Sequence, residues 1–200
     1  MNGGIWLMRH GALPPNPERR FVGQRDIALS ERGRRQARTW QRRLADIPFA
    51  AIVSSDLFRC VETAQLVKEE REIPLIQEPA FREISLGRWE GLTPDEVEER
   101  FPGAYAERGR DMARFRPEGG ESFADLASRV LPAFDSLAVH YAGQPLLIVA
   151  HAGVNRAILA NRMALPLQNI PDIPQPYACC AQLFVDDFTR HHAWTAPYKP

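Results

Sequence analysis

Residues 145–150 read Pro-Leu-Leu-Ile-Val-Ala and end at His151-Ala152-Gly153. An apolar run without polar alternation fits a β-strand covered on both faces, the kind found in parallel sheets packed between helices. A second run, Ile-Trp-Leu-Met at 5–8, stops in the same way at Arg9-His10-Gly11. A third, Ala-Ile-Val at 51–53, leads into Ser54-Ser55-Asp56. Helical patterns separate these runs, so the chain is expected to be α/β, a three-layer α/β/α arrangement with a mostly parallel central sheet. Its 200 residues give room for one domain with a full core.

Ser30 stands where it can cap a helix carrying Ala37, Trp40 and Leu44, and Ser54-Ser55-Asp56 can cap another running to about Val67. Segments 73–76 and 81–84 read as short extended pieces. From 93 to 116 the spacing is helical but broken by Pro94 and Pro102. The expected organisation is therefore one domain over 1–200 with a small helical insertion around 93–121. A longer helix is expected from 122 to about 140, with Pro132 inside it, and another over 154–163. Segments 178–185 and 191–195 read as closing strands. The connection 11–29 holds Pro14-Pro15 and no periodicity. It is long for a structureless link in a compact domain, which marks it as functional.

Lys plus Arg equals 25 and Asp plus Glu equals 25, a net charge of zero. This gives no electrostatic reason to expect nucleic acid or an acidic membrane as partner, and any bound anion needs a local cluster of cations. No apolar run reaches the ~18 residues of a membrane span, and the amino terminus lacks a signal-peptide pattern. Cys60, Cys179 and Cys180 are odd in number and lack CxxC spacing, against both a disulfide framework and a zinc site. The chain is expected to be cytoplasmic, with no metal and no cofactor, acting on a small molecule; a homodimer is left open.

Ligands of open α/β sheets bind beyond the carboxyl ends of the strands. Three strand ends here deliver Arg9 with His10, Arg59 in the helix after residue 53, and His151. Each alone is ordinary: a strand-end histidine is usually a hydrogen-bonded structural residue, and an arginine usually a solvated charge. Together they suit a phosphoryl group, because the guanidinium fork matches phosphate oxygens.

The segments LMRHG at 7–11, SSDLFRCVETA at 54–64, REISLGRWEG at 82–91, GGES at 119–122 and VAHAGV at 149–154 resemble the histidine phosphatase superfamily. This is the family of the cofactor-dependent phosphoglycerate mutases, and the likeness covers roughly residues 5 to 185 in the family's order. It implies a phosphoglycerate mutase-like fold and a metal-independent phosphomonoesterase. His10 would be the nucleophile, forming phosphohistidine, while Arg9, Arg59 and His151 surround the phosphate. Glu83 would be the proton donor, with Glu90 as its rival, expected mainly to brace the local turn. Asn16, Gly23 and Gln24 fall where relatives commonly touch phosphate or substrate. Glu121 and Ser122 read as capping or supporting groups. Many relatives continue the RHG motif with Glu-Thr or Glu-Ser; here Ala12 and Leu13 follow.

Water as acceptor makes the enzyme a phosphatase; a second substrate hydroxyl makes it a mutase. Mutase relatives are generally longer in the middle, and the compact 93–121 stretch favours hydrolysis. The stretch VAHAGVNRAILANRMALPLQNI resembles the α-ribazole phosphatase branch, with sugar-phosphate and phosphoglycerate-type phosphatases as further readings. A catalytically silent phosphate-binding or signalling module is the non-enzymatic alternative.

Overall fold

The computed structural model describes residues 4–184, so the strand expected at 191–195 lies outside the described residues. Four parallel strands, β1 (Gly4–Arg9), β2 (Ala51–Ser54), β3 (Leu75–Gln77) and β4 (Leu146–Ala150), form a sheet with β5 (Cys180–Phe184) in the order β3-β2-β4-β1-β5. Only β5 is antiparallel, running against β1. The expected mostly parallel sheet is therefore present, and β4 lies at its centre.

Every residue of β4 is buried, and its side chains divide between two cores. Leu146, Ile148 and Ala150 pack with α5 (Phe123–His140) and α6 (Ala152–Arg162), whereas Leu147 and Val149 pack with α1 (Glu31–Arg43) and α2 (Phe58–Lys68). The period-two alternation of a strand thus meets apolar helices on both sides, which is why no polar residue interrupts the run. Two short helices, α3 (Pro94–Arg100) and α4 (Ala104–Arg110), lie between β3 and α5. Helix α5 starts at Ser122 in a capping box with Asp125, and Pro132 lies inside it. It reaches β4 through an exposed turn at 142–144.

Three local expectations are corrected. Helix α2 is not capped by Ser54-Ser55-Asp56: its N-cap is Leu57, without a side-chain cap. Asp26, from the long connection, accepts the Phe58 amide at 2.7 Å, while Asp56 is drawn away to Arg82, whose Nε donates to it at 2.8 Å. Segment 81–84 is not extended; a 3₁₀ turn spans Pro79–Phe81. The Glu83 carbonyl then accepts from Gln24 Nε2 and Arg129 Nη2 instead of a ladder partner. Helix α6 begins at Ala152 rather than residue 154, which makes His151 its N-cap.

Candidate active site

Strands β1 and β4 are neighbours, with Arg9 opposite Ala150, so the residues that follow them emerge side by side. The His10 amide donates to the Ala150 carbonyl at 3.0 Å, and the His10 and His151 rings stand 5.3 Å apart. Strand β2 ends one place further along the same edge, where the Ser55 amide donates to the Val149 carbonyl. Helix α2 then brings Arg59 back over the two histidines. Parallel strands sharing a register explain why positions so distant in sequence meet at one sheet edge.

The tautomers of both histidines follow from their partners. His10 Nδ1 lies 2.8 Å from the Gly11 carbonyl, which can only accept. Nδ1 therefore carries the proton and Nε2 keeps its lone pair. His151 is the reverse: Arg59 Nε, which can only donate, lies 3.2 Å from its Nδ1, so Nε2 carries the proton and donates to Ser55 Oγ at 2.9 Å. Burial, then the charges of Arg9 and Arg59, hold His10 well below the usual imidazole pKa, against a smaller opposing effect from the Gly11 hydrogen bond. Burial lowers His151 likewise, reinforced by Arg59, His10, Arg9 and Arg129. Both rings are neutral at pH 7.

Arg59 is 1% exposed. Its Nη1 donates to the Arg25 carbonyl and its Nη2 to the Gly23 carbonyl, each at 2.8 Å. Arg9 donates to the Gln175 carbonyl, and its buried Nε has no partner among the described residues. Among those residues neither guanidinium has a carboxylate within 4.0 Å. A buried Arg59 and a half-buried Arg9 beside His10 without a counter-charge are an unfavourable arrangement for the protein alone and a favourable one for an anion.

A cavity of about 140 Å³ opens onto this cluster, with Arg9, His10, Gly23, Arg59 and Glu83 on its wall. Glu83 rests on the start of α6. Its Oε1 accepts from the Ile84 amide at 2.9 Å and from the Gly153 amide at 3.1 Å. A Cβ at Gly153 would stand 2.3 Å from Glu83 Oε1, so only glycine permits this approach. The carboxylate faces the positive end of the helix, where the N–H groups converge.

The other expected residues are distributed unevenly. His151 is fully buried behind His10 and Arg59 and is not part of the cavity wall, because Arg59 and Ser55 occupy its two nitrogens. Gly23 contributes its carbonyl to Arg59 and adopts φ +52°. Gln24 is tied to the Glu83 carbonyl and, through its amide, to Glu90 Oε1 at 2.9 Å. Asn16 is spent on its own turn, exchanging hydrogen bonds with the Arg20 backbone. It lines a neighbouring cavity instead. Glu90 braces its local turn by accepting from the Leu86 amide at 3.1 Å, as expected, and its hold on Gln24 in the long connection is an added contact. Glu121 accepts from the Ser85 amide and pairs with Arg129.

Tyr177 was not foreseen. Its ring covers the Arg9 guanidinium, with Cζ 4.0 Å from the ring centroid, and stands 5.6 Å from the His10 ring. The sequence signal was slight: a tyrosine between Pro176 and the closing strand, whose proximity to His10 depends on β5 pairing with β1.

A family model described as the histidine phosphatase superfamily (branch 1) matches residues 5–194. A glucosyl-3-phosphoglycerate phosphatase of Mycolicibacterium vanbaalenii is 37% identical over 172 residues, covering 82% of this chain and 76% of that protein. A 2,3-bisphosphoglycerate-dependent phosphoglycerate mutase of Methylobacterium radiotolerans is 36% identical, covering 84% and 82%. The adenosylcobalamin/alpha-ribazole phosphatase of Salmonella typhimurium is 31% identical, covering 83% and 82%. Among solved structures, Bacillus stearothermophilus YhfR superposes with a TM-score of 0.89 at 34% identity, covering 98% of each chain.

Proposed function

Because the chain belongs to the histidine phosphatase superfamily, we propose that it hydrolyses a small phosphate monoester through a phosphohistidine formed at Nε2 of His10. One observation supports this reading above the others. His10 presents an unprotonated Nε2 beside two guanidinium groups that lack carboxylate partners among the described residues.

Attack by Nε2 on phosphorus, in line with the leaving oxygen, spreads negative charge over the equatorial oxygens. Arg9 and Arg59 stabilise that charge from fixed positions, a contribution that typically reaches ~10²–10³ in rate for one well-placed donor. His151 positions Arg59 by accepting from its Nε. Glu83 delivers a proton to the departing alkoxide and takes one from the water that then attacks phosphohistidine, regenerating the imidazole. The hydrogen bonds that Glu83 Oε1 accepts from Ile84 and Gly153 hold the carboxyl group in place for this role, and a carboxylic acid keeps an acceptor oxygen for them.

The shared substrate class of the relatives is a small phosphorylated metabolite, with glucosyl-3-phosphoglycerate and α-ribazole 5'-phosphate as the two substrates to try first. The mutase reading draws support from the mutase-named relative, and against it stands an inserted segment of only two seven-residue helices. Brief incubation with ³²P-labelled substrate followed by denaturation is expected to trap an acid-labile, base-stable phosphoprotein. His10→Ala is expected to abolish both the label and turnover. Retention of label in that variant would overturn the assignment.

A further inference from the structure

Tyr177 stands between two cavities. It lines the His10 cavity and also a second one of about 190 Å³, whose wall includes Leu13, Pro14, Pro15 and Val22. Leu13 and Val22 are common to both, so the two spaces adjoin across one aromatic ring. Arg20 and Arg25 are the cations on the wall of the second cavity. An ester with its phosphorus at His10 has this apolar recess as a neighbour for its alcohol portion.

The backbone is strained to hold the ring there. Ala178, next in the chain, has φ +55°, a left-handed conformation that a residue with a Cβ adopts at a cost. Three hydrogen bonds hold the turn: the Ala178 amide donates to the His10 carbonyl at 3.0 Å, Trp40 Nε1 donates to the Ala178 carbonyl at 2.7 Å, and the Arg9 amide donates to the Cys179 carbonyl at 2.9 Å. These bonds, which outweigh the strain, fix Tyr177 relative to β1 and to Arg9 and His10 at its end.

From these observations we infer that Tyr177 determines specificity, selecting phosphate monoesters whose alcohol carries a ring with an apolar face over short acyclic esters. The inference rests on the hydrolase reading above. An aromatic face stacks on the C–H face of a sugar or on a planar ring and gains little from a two-carbon chain. Stacking of Tyr177 on Arg9 is common to all esters and cancels in a comparison between them.

Benzyl and ethyl phosphate test it, since their alcohols are similarly poor leaving groups and differ mainly in the ring. The ratio of kcat/KM, benzyl over ethyl, is expected to be at least about tenfold in the wild-type protein. Tyr177→Phe keeps that ratio within about twofold. Tyr177→Ala lowers it about tenfold, chiefly through KM for the benzyl ester. Tyr177→Leu, which retains bulk should the alanine variant fail to fold, lowers it by at least about threefold. A wild-type ratio near one, or a ratio untouched in both the Ala and Leu variants, overturns the inference while leaving hydrolysis intact. Turnover of neither ester by the wild-type protein overturns the hydrolase reading itself and the inference with it.

Discussion

At the residue scale the site depends on two imidazoles that carry their protons on opposite nitrogens. His10 is protonated at Nδ1 because Gly11 offers only a carbonyl, and His151 at Nε2 because Arg59 offers only N–H. Burial and neighbouring arginines keep both neutral below the ordinary value of 6.5. Nitrogen-15 NMR of labelled imidazoles is therefore expected to show His10 as the Nδ1–H form and His151 as the Nε2–H form. Both should titrate below pH 6.5; a protonated His10 at pH 7 would contradict the nucleophile role. The same contrast shows what sequence could and could not reveal. The RHG and late-histidine motifs placed both residues at one sheet edge, but which nitrogen is free depends on hydrogen bonds to Gly11 and Arg59. These are three-dimensional facts with no residue-type signature.

At the scale of elements, the 11–29 connection is held in place by contacts with the rest of the fold. It contains no regular element, yet it is tied down from several directions. Arg59 holds the carbonyls of Gly23 and Arg25, Glu90 holds the Gln24 amide, and Arg20 bonds the Gly91 carbonyl and Glu96 of α3. Gly23 is the tightest point: a Cβ there would lie 2.1 Å from Glu90 Oε1, and its φ is already in the glycine region. Gly23→Ala should displace the carbonyl that orients Arg59 and lower kcat/KM by roughly tenfold or more, from a strain of about 1–3 kcal/mol. Steady-state kinetics would check this, and unchanged kinetics would mean that the segment does not set Arg59. Its length and lack of periodicity set this connection apart in the sequence. These features could not show that Asp26 caps α2, because that hydrogen bond joins residues 32 apart in sequence. The three central strands were legible because each must be apolar on both faces; segment 81–84 was not, since its backbone bonds side chains instead of a neighbouring strand.

For the whole molecule, burying two neutral histidines couples folding to pH. Their folded-state pKa values lie below the unfolded value of about 6.5, so below that pH the unfolded chain binds protons that the native state refuses. This contribution is complete above pH 6.5 and declines as pH falls, by up to about 1.4 kcal/mol per pH unit for each histidine. Asp56, Glu121 and Asp125, held below the ordinary carboxylate range by Arg82, by Arg129 with the Ser85 amide, and by Ser122 with Arg116, add a second loss at lower pH. Urea midpoints measured from pH 8 to 4 should begin to fall near 6.5, and a flat midpoint down to pH 5 would refute the coupling. Among the described residues no helix is long and apolar enough to cross a membrane, and no group of three or more His, Cys, Asp or Glu side chains could hold a metal ion.

The interleaved strand order has one more consequence. Strand β4 fits between β1 and β2, so the halves of the chain on either side of the 142–144 turn each own one imidazole of the pair. Severed at that turn, the fragments should both be inert, and their mixture should recover turnover only as β4 reinserts between its neighbours. Catalysis then becomes a readout of strand insertion, with recovery that follows the concentration of the scarcer fragment.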